Sequence, residues 1–155
     1  MSEPAVGLKA TLRAHLTDLI RARDALRSST LRMALTSITN AEVAGKEQRE
    51  LSEDEVLAVV AKEAKRRKEA SSAYADAGRP ELARAEDEEW AVLAEYLPTQ
   101  LDDADLDALV AEAIEQVGAT SMAQMGSVMR VVQPRVAGSA EGGRIAFAVR
   151  RALGT

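Results

Sequence analysis

The chain has 155 residues, 46% of them apolar, a formal net charge of −5 and only four aromatic side chains, Tyr74, Trp90, Tyr96 and Phe147. Thirty residues are Ala, the strongest helix former, and a β-sandwich or barrel, which draws on Val, Ile, Thr and aromatics, would be under-supplied; the composition predicts an all-α protein. With no Cys and one His, His15, disulfides, thiolate metal sites, a cysteine nucleophile and two-histidine metal motifs are excluded, and the longest apolar run, residues 56–61, is far too short for a membrane span.

Pro4, Pro80, Pro98 and Pro134 divide the chain, together with Gly45, Gly78, Gly118 and the Gly138/Gly142/Gly143 group. A first helix is expected over about residues 5–25, with Leu8, Leu12, Leu16, Leu19 and Leu26 on one face. A second is expected from a cap at Ser28 or Ser29 to Gly45, with Leu31, Leu35 and Ile38 inward. Residues 46–50 read as a charged linker. Ser52 and Glu55 form a capping box for a third helix running to about Ala77, about 37 Å long at 1.5 Å per residue, with Leu51 stapling across it toward Val56. Gly78-Arg79-Pro80 breaks the chain, and a fourth helix to Leu97 completes a long antiparallel hairpin.

The character changes at Tyr96-Leu97-Pro98. Residues 102–115 hold six acids and no base, whereas residues 130–151 hold five Arg and one Glu. Asp102 caps a fifth helix with Leu106, Val110, Ala113 and Val117 inward, ended by Gly118. Ser121 and Gln124 then make a second capping box, opening a short helix with Met122, Met125 and Met129 inward that Pro134 closes. A last helix follows Gly143, with Ile145, Val149 and Ala152 inward. This predicts an N-terminal helical domain, residues 1–97, and a small C-terminal three-helix domain, residues 98–155. The absence of a secretory segment and of a membrane span predicts a cytoplasmic protein.

Several residues break the apolar pattern. His15 lies about 20° from Leu8 on a helical wheel and is expected to be packed or at an interface. Glu63 and Arg67 fall in line with Val56, Val60 and Tyr74, and Glu86 and Glu89 with Leu82, Leu93 and Leu97. Folding the hairpin about Arg79 predicts a structural ion pair of Arg67 with Glu89 across the helices and with Glu63 one turn earlier, the Arg stem lying on Trp90. A carboxylate metal site is the weaker reading, because no phosphate loop accompanies it. Lys65, Arg66 and Lys68 belong to a basic run interleaved with acids, the pattern of a solvated face. On the last helix Arg144, Phe147, Arg150 and Arg151 share the side opposite Ile145 and Val149. There they suit phosphate contact with base stacking, or else pair with the acids of the fifth helix while Phe147 packs on the first domain. No G-x-x-x-x-G-K-[ST], G-x-G-x-x-G or G-x-S-x-G motif is present.

Segments spread over nearly the whole chain resemble the GatB/YqeY family, in its stand-alone YqeY-like form. They are TLRMAL at residues 30–35, ITNAE at 38–42, LSEDEV at 51–56, YADAGRPEL at 74–82, EYLPTQL at 95–101, GATSM at 118–122 and MGSVM at 125–129. Where that family commonly has Asp-Gly before the last helix, this chain has Glu141-Gly142. The resemblance implies a helical N-terminal domain, a three-helix C-terminal domain, and kinship with the tail of the B subunit of the tRNA-dependent amidotransferase, a carbon-nitrogen ligase that uses glutamine as amide donor and whose tail helps hold tRNA. That enzyme's ATP- and magnesium-binding body and its serine glutaminase have no counterpart here, so no catalytic residue, metal or cofactor is assigned. The expectation is a non-catalytic accessory protein that binds tRNA through Arg130, Arg135, Arg144, Phe147, Arg150 and Arg151, with Lys65, Arg66 and Lys68 as a second surface. The alternatives are an adaptor docking on an amidotransferase or aminoacyl-tRNA synthetase without binding RNA, and a small amide-forming or amide-cleaving enzyme working through carboxylates such as Glu86 and Glu89.

Overall fold

A computed structural model of the chain describes residues 7–154; the expected helix start at Ala5 and the break at Pro4 lie outside the described residues. Within them the chain is all-helical, with α1 (Leu8–Arg21), α2 (Ala25–Val43), α3 (Glu53–Asp76), α4 (Pro80–Ala94), α5 (Asp103–Val117), a 3₁₀ turn (Met122–Gln124), α6 (Met125–Arg135) and α7 (Gly142–Leu153). The chain divides into two compact units, Met1–Leu97 and Pro98–Thr155. No helix among the described residues is long and apolar enough to cross a membrane.

In the first unit α3 and α4 form an extended antiparallel hairpin, α1 packs on α2 and α3, and α2 also meets α4. Their shared core holds Leu12, Leu31, Ile38, Val56, Val60 and Leu93. The capping box of α3 is complete: Glu55 N–H donates to Ser52 Oγ and Ser52 N–H donates to Glu55 Oε1. The α1–α2 junction differs from the expected one. α1 stops at Arg21, Arg23 takes a left-handed φ of 60°, and Asp24 caps α2 by accepting from Arg27 N–H. Ser28 and Ser29 lie inside the helix and donate to the carbonyls of Ala25 and Leu26. Leu26 therefore belongs to α2, where it is exposed. Asp carries the stronger cap, since an ionised acceptor also meets the positive end of the helix.

The linker after α2 is held by a residue that the apolar pattern did not single out. Glu42, buried at 6% exposure, accepts from Lys9 Nζ at 2.7 Å and from Leu51 N–H at 3.1 Å. The Lys9 bond first, then the backbone bond, hold its carboxyl below the usual carboxylate range against the cost of burial. α4 ends at Ala94 rather than Leu97, closing in a turn over Glu95–Leu97.

The second unit is a three-helix bundle in which α5, α6 and α7 each pack on the other two around Leu106, Val110, Val128, Val132 and Val149. Asp102 caps α5 by accepting from Asp105 N–H, and Gly118 ends it with a φ of 73°. The segment before α5 is tied back to the α6–α7 loop: Leu101 N–H donates to the Ser139 carbonyl and Gln100 Nε2 to that of Gly138, each at 2.8 Å.

Three local expectations are corrected here. Ser121 makes no side-chain cap; Gln124 Oε1 instead accepts from the N–H of Thr120 and from its hydroxyl. This leaves Met122 at 44% exposure while Val128 and Val132 take the core positions. Pro134 lies inside the last turn of α6, because it lacks one N–H but does not stop a helix already ending one residue later. On α7 the inward side chains are Ile145, Ala148, Val149 and Leu153, and Ala152 is exposed.

Candidate nucleic-acid interface

α7 presents Arg144, Phe147, Arg150 and Arg151 at intervals of three and four residues, opposite its buried stripe. Phe147 is 62% exposed, so it does not pack into a core. The arginines divide into two groups. Arg144 Nη2 donates to Asp103 Oδ1 at 2.8 Å and to the Leu101 carbonyl at 2.9 Å, and Arg151 Nη2 donates to Asp107 Oδ2 at 2.6 Å. On α6, Arg135 donates to Gln116 Oε1 and lies 4.0 Å from Glu112. Arg130 and Arg150 are exposed and make no ion pair among the described residues. Of the two readings for these side chains, pairing with the acids of the fifth helix holds for Arg144 and Arg151, and Arg135 at the end of α6 is paired with α5 as well, which leaves Arg130 and Arg150 open. Along the α5–α7 seam runs an open groove of about 430 Å³ lined by Asp103, Asp107, Glu141, Arg144, Phe147 and Arg151.

The run on α3 is a mixed-charge face. Lys65 Nζ lies 3.7 Å from Glu69, Arg66 Nη1 lies 3.3 Å from Glu63, and Lys68 Nζ sits 4.0 Å over the Trp90 ring. It is thus the Lys68 ammonium, one position from the expected Arg67 stem, that is seen on the indole face, in a cation–π contact.

Beneath that face lies a buried charge cluster. Arg67, 5% exposed, donates through Nη1 to Glu63 Oε2 at 2.6 Å and to the Glu63 carbonyl at 3.0 Å. Ser37 Oγ on α2 donates to the other Glu63 oxygen at 2.8 Å. Burial pushes Glu63 upward, but the bonds from Arg67 and Ser37 outweigh it and hold the carboxyl below the usual range. Arg67 Nε lies 3.7 Å from Glu89 Oε2, too far for a hydrogen bond, and has no other partner. Glu89 is pushed up, chiefly by burial, with Arg67 opposing and Glu86 adding to the rise. These contacts brace α2, α3 and α4. Among the described residues no group of His, Cys, Asp or Glu is placed to hold a metal ion.

His15 departs from the packed position expected for it. It is exposed, its Nδ1 is hydrogen-bonded to Tyr96 Oη at 2.6 Å, and the two rings meet at 5.5 Å with a 48° tilt. Tyr96 carried no sequence signal for this pairing. Glu42 was findable as a carboxylate one turn beyond Ile38 on the stripe of Leu31, Leu35 and Ile38, the same kind of anomaly as Glu63.

No curated protein matches the chain. The family model described as YqeY-like protein matches residues 9–153, which covers both units and every helix from α2 to α7 in full. The chain belongs to the YqeY-like protein family.

Proposed function

We propose that this protein is a non-catalytic, tRNA-binding accessory protein that contacts phosphates and an unstacked base through α7. The observation that carries this reading is Phe147, an exposed aromatic ring on the same helical side as the unpaired Arg150. Kinship with the tRNA-holding tail of an amidotransferase subunit, implied by the resemblance above, supports the same surface. The pairing of Arg144 and Arg151 does not remove them from it. Asp103 is 90% exposed and Asp107 40% exposed, and exposed pairs are worth about 0–1 kcal/mol, little enough for a phosphate to displace the acid. The second unit nevertheless carries seven carboxylates against five guanidiniums, so RNA affinity is expected to be modest, with a salt slope set by the few phosphates contacted.

A titration of labelled tRNA between about 50 and 200 mM salt tests it. Arg150→Ala/Arg151→Ala is expected to weaken binding and lower the salt slope by about one for each phosphate no longer neutralised. Phe147→Ala is expected to cost about 1–3 kcal/mol with no change in slope, as loss of a stacked base does. Asp107→Asn, which releases Arg151, is expected to tighten binding. An unchanged slope in the double arginine variant and unchanged affinity in the Phe147 variant would remove α7 as the RNA-binding surface. The pairing of Arg135, Arg144 and Arg151 with α5 favours a second reading, an adaptor whose alternating charges meet a protein such as an amidotransferase or synthetase. It predicts no salt-sensitive tRNA affinity and no gain from Asp107→Asn.

A further inference from the structure

A second site candidate lies in the first unit, apart from α7. α1 turns Thr11, His15, Asp18 and Leu19 toward Val92, Glu95 and Tyr96 at the end of α4, and Arg27 of α2 closes the rim of a cavity of about 500 Å³. Its floor is apolar, since Val92 is 6% exposed and Leu19 is half-buried against the core. Its wall is aromatic and fixed, because the His15–Tyr96 hydrogen bond and ring contact hold both rings in place. Burial first, and Glu95 second, push the Tyr96 phenol above its usual range, so it stays neutral.

The rim carries more negative than positive charge. Asp18 has no side-chain partner among the described residues. Arg27 stands 3.7 Å from Asp24 and 3.8 Å from Glu95, beyond hydrogen-bond distance from either, so Glu95 keeps its full accepting capacity. An anion would meet two rim carboxylates and one guanidinium already flanked by acids, which excludes a phosphate or a polyanion. A neutral apolar group would gain only the floor and leave the two exposed rim carboxylates to water. A guanidinium on a hydrocarbon stem satisfies every surface at once: the stem on Leu19 and Val92, the flat head against Tyr96, the N–H groups toward the two carboxylates.

We propose that the cavity between α1 and the end of α4 receives an arginine side chain borne by a protein partner. The site lies wholly within residues 1–97, so it stands or falls independently of RNA binding through α7.

The probe is N-acetyl-arginine N-methylamide, titrated into the full-length protein while the His15 and Tyr96 ring and Leu19 methyl resonances are followed by NMR. Saturable shifts of all three are expected. Asp18→Asn and Glu95→Gln, both exposed positions outside the core, are each expected to weaken binding about threefold, the range of a partly solvated ion pair. The capped citrulline analogue, equal in shape but uncharged, is expected to bind about tenfold more weakly. Absence of saturable shifts overturns the proposal, as does citrulline binding as well as arginine, or an affinity unchanged in the Asp18→Asn/Glu95→Gln double variant. Binding of free arginine without binding of the capped form overturns it too, because the site would then read an amino-acid backbone rather than a side chain on a chain.

Discussion

Arg67 shows how far one side chain can organise the hairpin. It ties α3 to itself through Glu63 and reaches toward Glu89 on α4, yet its Nε is left without a hydrogen bond. Removing only the cation leaves a carboxylate at 6% exposure with Ser37 and the exposed Arg66 as its remaining partners, and Arg67→Met is expected to cost about 3 kcal/mol in denaturant unfolding. Arg67→Met/Glu63→Gln is expected to recover much of that loss, because no uncompensated charge then remains buried. The pH dependence follows the sign of the shift. Glu63 titrates below its ordinary 4.5 in the folded chain, so its contribution is present above pH 4.5 and is lost as the pH falls through the folded value. Glu89 is raised and carries the opposite sign: its contribution is present at low pH and lost as the pH rises through its folded value. Accordingly Glu63→Gln is expected to destabilise most near neutrality and least at pH 3, whereas the penalty of Glu89→Gln should shrink toward neutrality. Parallel profiles for the two variants would show that the cluster is not coupled in this way.

Helix ends govern how much of the fold can be read before any packing is known. Ser52 with Glu55, Asp102, and Gly118 announce themselves because each uses a local bond or a local dihedral, and each is found in place. The bond from Arg49 and the backbone bond from Ser52 hold Glu55 down to about 2, so the box remains charged in all but strong acid. Where two local signals compete, the outcome rests on tertiary context. Ser28 and Ser29 are eligible caps by residue type, but the left-handed turn at Arg23 starts α2 earlier, on Asp24. The box expected of Ser121 and Gln124 keeps only its second half, shifted by one residue: Gln124 reaches back to Thr120, and Ser121 makes no side-chain cap. The open face of α7 was half legible: periodicity placed Phe147 outward, but pairing of Arg144 and Arg151 with the acids of α5 was one of two readings, and only the approach of α5 decides it. His15 and Tyr96, 81 residues apart, had no shared sequence signal at all. Gly118 offers the clean test at this scale, since a Cβ there meets nothing within 4 Å and only its φ of 73° resists substitution. Gly118→Ala is expected to cost about 1 kcal/mol, and Gly118→Asn less, because Asn tolerates the left-handed region.

At the scale of the whole chain the two apolar clusters share no side chain: Leu12, Leu31, Val60 and Leu93 belong to one, Val110, Val128, Val132 and Val149 to the other. A unit of 58 residues hides only about 60% of the surface its unfolded chain exposes, a smaller share than a longer unit hides. The second unit should therefore be the less stable and the first to open on heating. Leu93 is fully buried in the first cluster, and Leu93→Ala is expected to cost about 2–5 kcal/mol through lost transfer energy and a residual cavity. If each cluster sustains its own unit, amide exchange should accelerate across α1–α4 in that variant and stay unchanged across α5–α7. Val149→Ala should give the reverse pattern with a smaller cost, and the two losses should add, because sites without shared neighbours behave independently. Equal acceleration in both halves from either substitution would mean that the chain opens as one cooperative body, and the tRNA binding proposed for α7 would then be sensitive to a cavity made in the first unit.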